Sequence, residues 1–215
     1  MKTVIQIVLW IACIFLGYLI YQSVNAPIEF NKVRKERFSE VIAKLKDIRD
    51  SQEAYKSVNG KYAGNFNSLI QFVDTGNYTI TQQRDSSFMR FDPVYQIELQ
   101  KDTIIIDTLG FVKVKDSLFK NDNRYKTLME VPYAANGEKF EMKADIVNKS
   151  GYNAPVFEVK VAKNVVLYDQ PKDLLDRENA HVSVEEVNGT TIKVGSLTDV
   201  STNGNWPPIY DRKND

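Results

Sequence analysis

The run from Thr3 to Tyr21, TVIQIVLWIACIFLGYLIY, carries one strongly polar residue, Gln6. As a helix it covers about 28 Å, close to the thickness of a bilayer's hydrocarbon core. Tyr18 and Tyr21 stand where an interfacial aromatic belt would place them. Val24-Asn25-Ala26 resembles a signal-peptidase site, but the apolar core is longer than a signal peptide's and Pro27 follows Ala26 directly. We therefore expect an uncleaved, single-pass anchor. Four basic residues, Lys32, Arg34, Lys35 and Arg37, follow the span and only Lys2 precedes it. Counted strictly they place the following domain in the cytoplasm. They begin about ten residues beyond the span, in a helix with acidic partners. The expectation is a bacterial inner-membrane protein with its N-terminus inside and its C-terminal domain in the periplasm. The four basic residues are candidates for lipid-headgroup contact, at about 1 kcal/mol per charge near an anionic surface.

Pro27 lacks a backbone donor and disfavours helix at Ala26, which predicts a break or kink between span and domain. From residue 28 to 58 the period is helical. Phe38, Val41, Ile42, Leu45, Ile48 and Tyr55 form one stripe, a face for packing or for a partner, and Gln52 interrupts it. Asn59-Gly60 ends the helix. A second helix is expected over Ser68–Asp74, with Asn67 as N-cap and Gly76 as stop.

After Gly76 alternation takes over. Strands are expected at Tyr78–Thr81, Val94–Leu99, Thr103–Ile106 after a turn at Lys101-Asp102, and Phe111–Val114. Ser117–Ala135 reads as a connection. Phe140–Ile146, Val156–Val161 and Val165–Tyr168 read as further strands, and Pro171–Asn179 as a helical turn or two. Val182–Glu185 and Thr191–Val194 flank Asn188-Gly189, a strong hairpin signal. The tail from Ser201 is irregular, with Trp206 a plug on the sheet. The fold class is α+β, in four parts: an anchor over 1–21, a juxtamembrane amphipathic helix over 28–58, a β-rich unit over 59–116 packed on that helix, and a second β-rich unit over 136–215.

The segment Leu45–Tyr55, followed by Asn59-Gly60-Lys61-Tyr62, resembles the end of the first helix in type IV pilins and type II secretion pseudopilins. The resemblance covers about residues 38–75. It implies an antiparallel sheet packed on the helix and, as one reading, a filament subunit. The family's basic leader has no counterpart, and Gln6 stands where the family has Glu, so prepilin processing is not expected.

Lys+Arg and Asp+Glu number 28 each, so no bulk field favours nucleic acid. Cys13 is the one cysteine and His181 the one histidine, which excludes cysteine-rich zinc sites and multi-histidine metal sites. Glycine-rich phosphate loops are missing too. Carboxylate pairs such as Glu98 with Asp102, or Glu185 with Glu186, fall on strands that alternation turns towards solvent. Asn121-Asp122-Asn123 lacks the distal Glu of a calcium loop. No catalytic residue, metal or cofactor is expected. The expected role is a non-catalytic structural or assembly component of an envelope machine. Its partners would be membrane lipids and other envelope proteins. A pilin-like filament subunit and an anchored carboxylate-dependent enzyme are the alternatives.

Overall fold

A computed structural model describes residues 2–93, 97–120, 122–149, 151–180, 182–183 and 186–211. One helix, α1 (Lys2–Asn59), runs through the apolar segment and the amphipathic segment without interruption, with Pro27 inside it. The break expected at Asn25–Pro27 does not form. Proline forfeits one intrahelical hydrogen bond, a cost of about 3 kcal/mol. Breaking the helix there would also disturb Ala26, which packs against the core, and Phe30, which is buried in it just beyond Pro27. Before Asn25 every described residue of α1 is exposed, and the helix is long and apolar enough to cross a membrane.

The second half of α1 is the spine of the core. Phe38, Val41, Ile42, Leu45 and Ile48 are buried and Tyr55 is half-buried. Gln52, which interrupts this stripe, is also fully buried. Its amide donates to the Ala63 carbonyl at 2.9 Å and accepts from the Ala63 N–H at 2.8 Å, tying the helix to the chain that leaves it. Gly60, at φ +71°, makes the left-handed turn, and Tyr62 then packs on Phe157 at 4.6 Å between ring centroids.

Helix α2 (Phe66–Thr75) starts two residues before its expected position. Asn65, not Asn67, is the N-cap, its Oδ1 accepting from the Ser68 N–H at 2.8 Å. Strands β1 (Asn77–Asp92) and β2 (Ile97–Lys113) form a two-stranded antiparallel sheet. Lys101-Asp102 is not a turn. Both residues sit inside β2, opposite Phe88 and Ser87, and Pro93 lies beyond the end of β1 instead. Of the strand expected over 94–99, residues 94–96 lie outside the described residues, and Ile97–Leu99 begin β2. Val114 opens a short helix, α3 (Val114–Phe119), so the strand expected there stops at Lys113.

A 3-10 turn (Asn123–Thr127) leads to the second sheet, β3 (Glu141–Lys149), β4 (Tyr152–Ala162) and β5 (Thr191–Gly195), antiparallel in the order β3-β4-β5. Phe157, Val159 and Val161 of β4 and Ile192 and Val194 of β5 point into the α1 core. Val165–Tyr168 does not form a strand: α4 (Lys163–Val166) is a single helical turn that buries Val166 and Leu167. Burial there overrides the β preference of valine. Helix α5 (Lys172–Ala180) follows.

The local hairpin expected around Asn188-Gly189 does not form among the described residues either. Val182 and Ser183 are not in a strand, residues 184–185 lie outside the described set, and β5 pairs with β4. Asn-Gly still turns the chain, with Gly189 at φ +81°, but the apolar edge of β4 is the better partner for Ile192 and Val194. Trp206 closes the sheet's end, buried, its Nε1–H donating to Asp211 at 3.2 Å.

Candidate functional site

Two features distinguish the surface: a ring of ion pairs at the base of the domain and a ribbon that leaves it. The ring is built on α1. Arg34 donates through both terminal nitrogens to Glu186, at 3.0 and 3.1 Å, and also to Glu178. The second oxygen of Glu178 accepts from Lys163 at 2.8 Å, and both residues of that pair are buried. Lys163 Nζ donates further to the carbonyls of Val187 (2.7 Å) and Glu178 (3.1 Å) and lies 5.9 Å from the centroid of the Phe38 ring. One turn along α1, Arg37 grips both oxygens of Asp169, at 2.6 and 2.8 Å, and the Val166 carbonyl at 2.8 Å. That paired hydrogen bond pushes the Asp169 carboxyl down to about 2.

A cavity of about 370 Å³ opens beside Arg34, bordered by Lys35, Phe38, Glu178, Glu186 and Tyr210. Arg34 and Lys163 balance Glu178 and Glu186, so of the charged groups beside the cavity Lys35 alone lies outside the paired cluster among the described residues. The arrangement joins α1, α4, α5 and the loop before β5; it holds these elements together rather than presenting a reactive group. Of the four basic residues expected to face lipid, Arg34 and Arg37 are in these ion pairs, and Lys32 and Lys35 are exposed. Nothing in the sequence foretold the acidic partners. A single Lys163 between the apolar runs of β4 and α4 is the only hint of a buried cation.

The second feature is the β1–β2 ribbon. Sixteen Cα pairs join its strands from Asn77↔Lys113 to Asp92↔Ile97, a length of about 50 Å. Only its root meets the body. Tyr78 packs against the core cluster, and Val114 N–H, just past β2, bonds the Gly76 carbonyl at 3.0 Å. Beyond the root both faces are in water. Phe88, Met89, Phe91, Ile104 and Ile106 are all exposed, Met89 to 62% and Ile106 to 64%. Fully burying a side chain of this kind is worth about 1.5–3 kcal/mol. A two-stranded ribbon without a third strand or a packed face is marginal alone in water, and both of its edges present unpaired backbone groups.

The carboxylates singled out in the sequence are dispersed. Glu98 and Asp102 are exposed on one face of the ribbon, and Glu185 and His181 lie outside the described residues. Asp122 caps the 3-10 turn, accepting from the Arg124 N–H at 3.1 Å; residue 121 lies outside the described set. Among the described residues no three His, Cys, Asp or Glu side chains gather as a metal site. Compared with protein families, curated proteins and solved structures, the chain matches none.

Proposed function

We propose that this chain is a single-pass protein of the bacterial inner membrane, a non-catalytic structural or assembly component of an envelope machine. Its extracytoplasmic domain would bind partner proteins. The observation that carries this reading is the ribbon: a long, two-edged sheet with apolar side chains on both faces, held clear of a body that has its own closed core. Such a surface favours burial against another protein. Its root lies beside the Asp50 region of α1, about 39 Å along the helix from Val24, where the bare segment ends. The anchor would thus display the ribbon away from the bilayer, with Lys32 and Lys35 left to meet headgroups. Purification of the full chain in mild detergent tests this. Envelope proteins should co-purify in fixed stoichiometry and be lost when Phe88, Met89 and Phe91 are changed to Ser. Partners unaffected by those changes would refute the role given to the ribbon.

The second reading is a pilin-like filament subunit. It is favoured by the unbroken α1, bare in its first half and packed on an antiparallel sheet in its second. Mass spectrometry of the mature N-terminus separates the two: an intact Met1 removes the processed-pilin version. A reporter fused after Asp215 fixes the side of the membrane on which the domain lies.

A further inference from the structure

The two faces of the ribbon carry opposite charge. Directly opposed residues share a face, so the register sorts every side chain. One face takes Arg84, Phe88 and Arg90 from β1 and Leu99, Lys101 and Asp107 from β2. The other takes Asp85, Met89 and Phe91 from β1 and Glu98, Asp102 and Ile104 from β2. On the first face Arg84 is paired with Asp107 at 3.2 Å, while Arg90 and Lys101 have no acidic partner among the described residues. Over residues 82–90 and 99–107 this face carries three basic residues and one acid, a net positive charge. The second face has three carboxylates and no basic residue between Thr81 and Phe91 or between Glu98 and Thr108. Each face also holds an exposed apolar group near the tip: Phe88 with Leu99 on one, Met89 with Phe91 on the other.

We propose that the ribbon docks, basic face to acidic face, with the ribbon of a second copy of this chain. The inference rests on the reading of the ribbon as a protein-binding element and names its occupant. Like faces are disfavoured, since they set two net positive faces, or two faces of three carboxylates each, against one another. Unlike faces, with the two ribbons pointing the same way, match level by level. Near the tip, Arg90 lies one residue pair from the level of Glu98 and Lys101 one from Asp102, while the two apolar groups coincide. Parallel ribbons also keep both anchors in one membrane. Packed sheets lie about 10 Å apart and cross at roughly 30°, and a 50 Å ribbon crossing at its tip then separates the roots by about 25 Å. Because each copy offers one face to each neighbour, the contact is heterologous and can extend into a row of anchored chains.

The test uses the full chain in mild detergent, with sedimentation velocity across a concentration series. One variant reverses the basic face (Arg90→Glu with Lys101→Glu), the other the acidic face (Glu98→Lys with Asp102→Lys). The wild-type chain should self-associate, and each variant alone should do so at least about tenfold more weakly. An equimolar mixture should recover the association, because the reversed faces complement each other; recovery also shows that both variants fold. Wild-type association by either variant alone, as would follow if α1 carried the contact, overturns the inference. So does a mixture that stays apart. A wild-type chain that remains monomeric while envelope proteins co-purify through the ribbon overturns this inference and leaves the broader reading standing.

Discussion

Lys163→Met is the perturbation whose cost is most directly readable. Lys163 is wholly buried, and its ammonium satisfies three acceptors at once: Glu178 Oε1 and the carbonyls of Glu178 and Val187. Methionine preserves most of the volume and supplies no donor. The two carbonyls lose this donor and the Glu178 carboxylate retains Arg34 alone. Breaking a buried ion pair by removing one partner costs about 3–5 kcal/mol, and that figure already includes the orphaned acceptors. With a urea dependence of about 2 kcal/mol per M, the unfolding midpoint should fall by about 2 M. Trp206, buried in the domain, reports the transition, in a Trp10→Phe background that silences the anchor. Adding Glu178→Leu removes the buried carboxylate that has lost Lys163. The double variant should therefore cost less than the sum of the two single changes, by about 1–3 kcal/mol. A single cost below about 1 kcal/mol, or strict additivity, would refute the idea that these charges stabilise the domain as a unit.

Three further expectations follow from particular contacts. Gln52→Leu keeps the apolar stripe of α1 but strips the Ala63 N–H and carbonyl of their partners; thermal or urea unfolding should show a loss of about 2–4 kcal/mol, despite the gain in hydrophobicity. Gly195→Ala should be far more damaging than Gly189→Ala. Both have φ near +80°, but at Gly195 a Cβ would lie 2.2 Å from the Phe157 carbonyl oxygen, whereas at Gly189 the space is open, so the second change should cost only the backbone strain of about 1–2 kcal/mol in the same assay. The Arg37–Asp169 pair carries a pH signature. Its carboxyl is held near 2 in the fold against about 3.9 when unfolded, so its stabilisation is complete above about pH 4 and disappears as the pH falls through 2. The stability difference between wild type and Asp169→Asn, measured by denaturant unfolding, should shrink steadily below about pH 4; a difference that does not shrink between pH 5 and pH 2 would contradict it.

The core stripe on α1 was legible because five apolar residues at helical spacing have few other uses: Phe38, Val41, Ile42, Leu45 and Ile48 are all buried. Gln52 broke that pattern on paper and completes it in space, since its fixed geometry bonds a backbone it meets only after the turn at Gly60. The misread elements share a cause. Lys101-Asp102, Val165–Tyr168 and Asn188-Gly189 are strong local signals, and each yields to a partner elsewhere in the chain: the long β1 strand, Arg37 and Glu178 where they hold α4, and the edge of β4. The antiparallel character of the domain could be read from alternation; the pairing could not, because alternation names a face and never a neighbour. The ion-pair ring was invisible for the same reason, with Arg34 separated from Glu178 by 144 residues.

The unbroken passage of α1 from its bare segment into the core makes the helix a lever. Transmembrane helices tilt by about 20° on average, and by more where the bilayer thins. Because no joint separates the apolar segment from Phe30 and Phe38, a body carried by such a span would turn with it. Over the roughly 39 Å between Val24 and the level of Asp50, a 20° tilt carries the ribbon's root sideways by about 13 Å. A change in local membrane thickness would thereby become a displacement wider than a helix, delivered at the far end of the domain without any rearrangement inside it.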